Sequence, residues 1–345
     1  MKYAHAVVIG RFQPFHSAHQ DLIQYSLTLA EKVIIILGSA RSASDVKNPF
    51  TPAMREEMIR ACFPEESDRL IFRAVRDYPY NDHIWTTEVQ NVVNEEIEDE
   101  ENSNVSIIGF FKDRSSYYLN LFPQWSFEEF YCKDRSKLKI NATEIREKYF
   151  ADDESWKEEV PVSIATQLQV FKQTEDFQVL QKEFVYLKKY REDTRFVGVP
   201  YQPVFVTTDA VVVQSGHILV IRRGHQPGKG LLALPGGFLQ PELTLEDNAI
   251  KELKEETQIK VPSAVLRGSI KTSRPFDYPE RSARGRTVTF AYFIELEPSL
   301  KDGLPRVKGG DDASKAFWLP LSALGENEDK FFEDHYSIIR TFLGF

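Results

Sequence analysis

Four short apolar runs, residues 6–9, 33–37, 70–75 and 105–108, alternate with stretches of helical periodicity such as 20–31 and 52–62. In the latter stretch Met54, Met58, Ile59 and Cys62 recur at helical spacing. Strands separated by helices are joined by crossovers, which leave neighbouring strands parallel. The first half of the chain is therefore expected to form an α/β, doubly wound parallel sheet, with ligands at the carboxyl ends of its strands.

The first strand ends there on Gly10-Arg11-Phe12-Gln13-Pro14-Phe15-His16-Ser17-Ala18-His19. If a helix starts in this segment, His16 and His19 share one face of its first turn. Free backbone N–H groups and the positive end of the helix dipole face the same way, which makes an anion site. Imidazoles can add hydrogen bonds to phosphate oxygens. The chain has no G-x-x-x-x-G-K-[ST] segment, so this is not a P-loop. Paired histidines also occur on plain solvated helix faces, and Asn141 with Glu144 three residues on is also a plain capping box.

Taken together, the two motifs resemble the nucleotidylyltransferases. Gly10 to His19 is similar to their H-x-x-H signature in its nicotinamide-mononucleotide adenylyltransferase form, with Ala18 where a glycine is usual. Ile140-Asn141-Ala142-Thr143-Glu144-Ile145-Arg146 stands in place of their I-S-S-T-x-x-R, keeping Thr143 and Arg146 and replacing both serines. The resemblance implies a Rossmann-like domain in which the phosphate of nicotinamide mononucleotide attacks the α-phosphorus of ATP. It places His16, His19 and Arg11 on phosphate, and Arg146 with the Thr143 region on the β- and γ-phosphates, with Gly10 and Phe12 beside the nucleotide. It also implies that Trp85 stacks on the nicotinamide ring, although a large aromatic is as readily a core residue. Lys112 and Asp113, in a loop after the fourth strand, become nucleotide contacts.

Composition limits the other readings. At 345 residues the chain is long enough for two domains, and 42% hydrophobic with 28% charged residues is ordinary for a globular protein. A net charge of −9 argues against a general nucleic-acid binder. Cys62 and Cys132 are isolated, which suggests neither a zinc site nor a disulfide scaffold and fits a reducing cytoplasm. The longest apolar run, residues 33–37, is too short to span a bilayer, and the N-terminal residues do not read as a signal peptide. Residues 94–104 read as a helix end and a solvated acidic loop. The oligomeric state stays open.

From about Trp156 to Tyr190 the pattern is helical; Gly198, Pro200 and Pro203 then break it. Beyond them residues 204–213 and 218–221 read as strands around a hairpin turn, Gln214-Ser215-Gly216-His217. The expected division is a first domain at 1–185, a linker at 186–202 and a second, differently folded domain at 203–345. In that second part Gly236-Gly237-Phe238 precedes a helix in which Leu245, Ala249 and Leu253 form a buried stripe. Glu252, Glu255 and Glu256 share another face, and clustered carboxylates of this kind suit Mg²⁺ or Mn²⁺. Alone, such a run reads as a solvated acidic flank paired with Lys251 and Lys254.

The glycine pair and the spacing resemble the Nudix box, G-x₅-E-x₇-R-E-U-x-E-E-x-G-U. Leu243, Lys251 and Gln258 replace its first glutamate, its arginine and its late glycine, while Glu252-Leu253-Lys254-Glu255-Glu256 keeps its core. The resemblance implies an α+β domain, an α/β/α sandwich, that hydrolyses a nucleoside-linked pyrophosphate, with ADP-ribose favoured. Glu252, Glu255 and Glu256 hold the metal, Glu256 carries catalysis, and Arg284 and Arg286 are phosphate contacts; Asp311 or Asp312 adds a carboxylate. The whole organisation resembles the bifunctional nicotinamide-mononucleotide adenylyltransferase/Nudix hydrolases. Because the box is altered, the alternative is an active transferase joined to a non-catalytic nucleotide-binding module. A transferase for another phosphorylated acceptor is disfavoured by residues 10–15 and Trp85.

Overall fold

The structure, a computed structural model, describes residues 1–97, 104–111, 114–131, 137, 139–193, 198, 200–298, 303–310 and 312–345. Lys112, Asp113, Cys132, Asp311 and most of the acidic stretch at 94–104 lie outside the described residues. The chain divides into two compact units, Met1–Lys182 and Glu183–Phe345.

The first unit is built on strands β1 (Tyr3–Gly10), β2 (Ala30–Leu37), β3 (Leu70–Ala74), β4 (Val105–Gly109) and β5 (Ser126–Glu129). They lie in the order β3-β2-β1-β4-β5, and every pairing is parallel. Helices α1 (Ser17–Leu29), α2 (Pro52–Cys62) and α3 (Asp82–Asn94) are the crossovers between β1, β2, β3 and β4. The order reverses between β1 and β4, so the crevice for a ligand opens beyond the end of β1. Val7, Ile34, Ile36 and Ile107 are fully buried, as expected of central parallel strands covered on both faces. α4 (Ala142–Phe150), α5 (Val162–Phe171) and α6 (Glu175–Arg191) follow. The boundary between the two units falls inside α6.

The second unit holds β6 (Phe205–Gln214), β7 (His217–Arg223), β8 (Leu232–Ala233), β9 (Gly236–Phe238), α7 (Leu245–Thr257), α8 (Ser263–Gly268), β10 (Ile270–Phe276), β11 (Thr287–Glu295), β12 (Ala313–Pro320) and α9 (His335–Leu343). The main sheet runs β10-β11-β6-β7-β12, with β9 on β6 and β8 on β7. It is mixed: β11 and β6 are parallel and the other pairs antiparallel. The expected hairpin joins β6 to β7, with Ser215 and Gly216 both at positive φ in the turn. Ala249, Ile250 and Leu253 of α7 are buried against Ala210, Val212 and Leu219 of the sheet, with Leu245 packed at the margin. This stripe fixes which face of α7 its glutamates occupy.

Candidate active sites

In the first unit the β1–α1 loop is shaped before any side-chain chemistry begins. Phe12 takes a positive φ of 52°, and its ring covers Gly10 so closely that a Cβ there would lie 2.8 Å from Phe12 Cζ. Gly10 is thus required by close approach. His16 is the N-cap of α1, with extended backbone and no capping bond from its side chain, so the imidazole is not spent on the helix. His19 lies one turn on, and the two rings stack with centroids 3.5 Å apart. Phe12 and Phe15 pack against His19, at 4.9 Å and 5.7 Å.

α4 opens on the same cleft. Asn141 caps it by accepting from the Thr143 N–H at 3.0 Å. The cleft encloses about 200 Å³ and is lined by Arg11, Phe12, Gln13, His16, His19, Asn141, Thr143 and Arg146, among others. Two helix N-termini therefore supply partial positive charge to one small polar space. The Arg146 guanidinium donates to Gln13 O at 2.5 Å, Val46 O at 3.2 Å and Thr143 Oγ1 at 3.2 Å. It is a brace across the cleft as well as a charge in its wall. Trp85 is not in this lining: it is half-buried, edge-on to Tyr118 and Phe122 at 6.1 Å and 5.9 Å.

Three residues without a role in the sequence reading complete this site. Gln13 exchanges two hydrogen bonds with the main chain of Phe50, at 2.8 Å and 3.0 Å. Asp77 holds the turn after β2 through Ser39 N at 3.2 Å and Ser39 Oγ at 2.5 Å. Arg55 is fully buried and donates from Nη1 to Arg11 O and to Gly38 O, each at 2.7 Å. Its only sequence signal is a cation near the unfavourable end of a helix.

In the second unit, β9 is pinned to β6 (Thr208↔Gly237, Asp209↔Gly236), while the Leu234 N–H donates to buried His335 Nδ1 at 2.9 Å. The glycine pair is thereby held against α7. A Cβ on Gly237 would lie 2.6 Å from Glu252 Oε2, and Gly236 N donates to Glu256 Oε2 at 2.8 Å. Glu256 is buried, which pushes its carboxyl up to about 8; the Gly236 N–H opposes that rise, while the charge of Glu252 adds to it. Glu255 is more exposed and pairs with Lys251, which also lies 3.7 Å from Glu252 Oε1.

The structure thus brings Glu252 and Glu256 to the glycine pair and keeps Glu255 on Lys251. Among the described residues no three His, Cys, Asp or Glu side chains are gathered as a metal cage. The donor set still fits a hard divalent ion: it is all carboxylate oxygen, with Glu252 and Glu256 both brought to the glycine pair.

The segment between β9 and α7 is tied to the sheet by a residue of α7 itself. Asn248, fully buried on α7, accepts from Gln240 N at 3.0 Å and donates to Thr208 Oγ1 at 2.8 Å. Gln258 ends α7 in the left-handed conformation, φ 46°, where the family has glycine. Arg284 lies 5.2 Å over Phe238 and 3.4 Å from Glu333. Arg286 is spent on the carbonyls of Asp277 and Tyr278. Asp312 lies 3.6 Å from His225. Two further charged groups near the box were not legible in sequence. Arg223 stacks over Phe332 at 4.1 Å, and burial lowers its pKa. Asp209 is raised to about 6 by burial, opposed chiefly by the charge of Arg281.

Comparison with known proteins agrees with these two architectures. Residues 7–148 match the cytidylyltransferase-like family and residues 204–342 match the NUDIX domain, so the class is a nucleotidyltransferase unit joined to a Nudix unit. The first part is 40% identical over 184 residues to a nicotinamide/nicotinic acid mononucleotide adenylyltransferase of Acinetobacter baylyi, covering 53% of this chain and 94% of that protein. The second is 30% identical over 157 residues to an ADP-ribose pyrophosphatase of Methanocaldococcus jannaschii, covering 46% and 79%. A bifunctional NMN adenylyltransferase/ADP ribose pyrophosphatase from Francisella tularensis matches end to end, at 34% identity, TM-score 0.92 and 99% coverage of both chains. Its complex with AMP and a Mn ion matches at 33% identity, TM-score 0.90 and the same coverage. The chain belongs to the family of bifunctional NMN adenylyltransferase/ADP-ribose pyrophosphatases.

Proposed function

We propose that this chain transfers the adenylyl group of ATP to nicotinamide mononucleotide, releasing NAD and pyrophosphate, and hydrolyses ADP-ribose to AMP and ribose 5-phosphate. The first activity is assigned to residues 1–185 and the second to residues 203–345. The observation that carries the reading is the single cleft shared by the His16–His19 helix start and the Asn141–Arg146 helix start.

In the first site the 5′-phosphate oxygen of the mononucleotide forms a bond to the α-phosphorus while the bond to the β-phosphate oxygen breaks. Such a step needs alignment and charge neutralisation more than proton transfer. His16 and His19, whose stacked rings lie beside the α1 N-terminus, donate to phosphate oxygens. Arg11 and Thr143 face the same space, and Arg146 adds charge while holding the loop at Gln13. Trp85, on the margin of the core, offers a ring for the nicotinamide; Lys112 and Asp113 are assigned to nucleotide contacts from the family resemblance.

In the second site Glu252 and Glu256 would hold a divalent cation, Mg²⁺ or Mn²⁺, with Glu255 joining once it leaves Lys251. The bound ion would supply an activated water and charge for the leaving phosphate. Arg284 and Arg286 are the proposed phosphate contacts, Arg284 from above the half-exposed Phe238 ring. The Lys251–Glu255 pair favours the second reading, a nucleotide-binding module without turnover.

The test uses the purified full chain with ATP plus nicotinamide mononucleotide, and separately with ADP-ribose plus Mg²⁺ or Mn²⁺. NAD is expected in the first reaction and AMP in the second. Glu256→Gln should abolish AMP release and leave NAD synthesis intact. AMP release by the unaltered chain no greater than by Glu256→Gln would leave the binding module as the reading.

A further inference from the structure

We propose that Arg55 is a positioning residue for adenylyl transfer, fixing from beneath the cleft the direction in which the β1–α1 loop presents its backbone donor to phosphate. The inference rests on the adenylyl-transfer reading of the first unit.

Arg55 sits where an arginine is costly. It is fully buried, it lies near the positive end of α2, and among the described residues no carboxylate pairs with it. Burial brings its pKa down to about 10, opposed only by the more distant charge of Asp77. Its Nη2 has no hydrogen-bond partner among the described residues. Packing alone would be served as well by an apolar side chain of this length.

The guanidinium donates from Nε to Thr51 O, at the N-cap of its own helix, at 3.4 Å, and from Nη1 to two carbonyls that end adjacent strands, Arg11 O after β1 and Gly38 O after β2, each at 2.7 Å. A peptide is planar, so a carbonyl drawn towards Arg55 turns the next N–H the other way. After Gly38 that N–H is on Ser39, and Asp77 Oδ1 accepts it at 3.2 Å. After Arg11 it is on Phe12, which lines the cleft with His16 and His19. Phe12 has the positive φ, so this peptide is one that needs holding. Arg146 grips the same loop one carbonyl pair further on, at Gln13 O. Two arginines on different helices thus fix alternate carbonyls of one strained loop, and the donor between them is left for an anion.

The experiment compares the full-length unaltered chain with Arg55→Met and Arg55→Lys. Steady-state NAD synthesis is measured against ATP, and the melting transition and far-UV circular dichroism of the same samples give the fraction of chains whose first unit is folded. Arg55→Met should lower kcat/KM for ATP about a hundredfold per folded chain, the scale of an ångström-sized misplacement. Arg55→Lys keeps donors for both carbonyls but lacks the planar fork, so it should recover all but about tenfold. Folded Arg55→Met with an unaltered kcat/KM for ATP and only a lowered melting temperature would overturn the inference. Should Arg55→Met not fold, an unaltered kcat/KM in Arg55→Lys would overturn it equally. Absence of NAD synthesis in the unaltered chain would overturn the transferase reading itself, and this inference with it.

Discussion

Replacing Gly236 by alanine tests the architecture of the second site with one methyl group. The new Cβ would fall 2.2 Å from Thr208 O and 2.9 Å from the Cα of Asp209, both in the backbone of the partner strand β6, and 2.4 Å from Asp209 Oδ1. Ordinary contact needs roughly 3.5 Å, so β9 must withdraw by ~1 Å. That withdrawal stretches the 2.8 Å bond from Gly236 N to Glu256 beyond use. Overpacking costs ~1–3 kcal/mol and a stranded buried acceptor ~1–3 kcal/mol more, so the loss should be ~2–6 kcal/mol. The displaced carboxylate should lower ADP-ribose hydrolysis about a hundredfold. Gly268→Ala is the control: a Cβ there meets nothing within 4 Å, and its helical setting makes a neutral or slightly stabilising result the expected one. Calorimetric unfolding and hydrolysis assays on the full chain read both effects, with NAD synthesis as the internal reference. Gly236→Ala with the unaltered melting temperature and hydrolysis rate would refute the reasoning.

Gln258→Gly should raise stability by ~0.5–1 kcal/mol, because a left-handed residue with a Cβ is strained at φ 46°; a lower midpoint in urea would contradict this. Asp209 is buried and held at about 6, above the usual carboxylate range, so its contribution to stability is complete below about pH 4 and is lost as pH rises through 6. Asp209→Asn should therefore remove a pH-dependent loss of ~2 kcal/mol between pH 4.5 and 7.5, seen by melting at those two pH values; equal pH slopes in the two proteins would reject it. Asp334 accepts from the buried Arg281 guanidinium at 2.7 Å and 2.9 Å, and Asp334→Asn should cost ~3–5 kcal/mol in unfolding experiments by leaving a buried cation without its partner. An unchanged midpoint would show that the pair is not desolvated in solution.

The central strands were legible because burial on both faces makes them continuous apolar runs. β5 was not: Ser126-Phe127-Glu128-Glu129 is an edge strand with nothing apolar to repeat. α1 starts at Ser17, three residues before the periodicity suggests, because its N-cap is His16 and not one of the usual capping residues. β8 and β9, of two and three residues, are too short to carry a period. For the sites, the motifs located the cleft and the glutamate helix, and the structure brings His16, His19, Thr143 and Arg146 together. The supporting residues stayed hidden. Arg55, Asn248, Asp209 and His335 are polar groups whose meaning lies in being buried, and no local pattern announces burial of that kind. Lys251 shows the opposite limit: its ion pair with Glu255 follows from helix spacing, yet that spacing alone cannot say which carboxylate remains for a metal.

Gln13 closes one wall of the cleft by exchanging both of its amide functions with the main chain of Phe50. A carboxamide is a peptide group carried on a side chain, so this pair imitates one rung of a ladder between two strands. Ordinary ladders are less exposed to substitution, since replacing a side chain by anything but proline leaves every rung in place. Here the rung is itself encoded by one codon. Drift at that codon can therefore sever a main-chain connection through almost any substitution, where along β1 or β2 only proline does so, and glutamate, its nearest isostere, keeps the acceptor while deleting the donor.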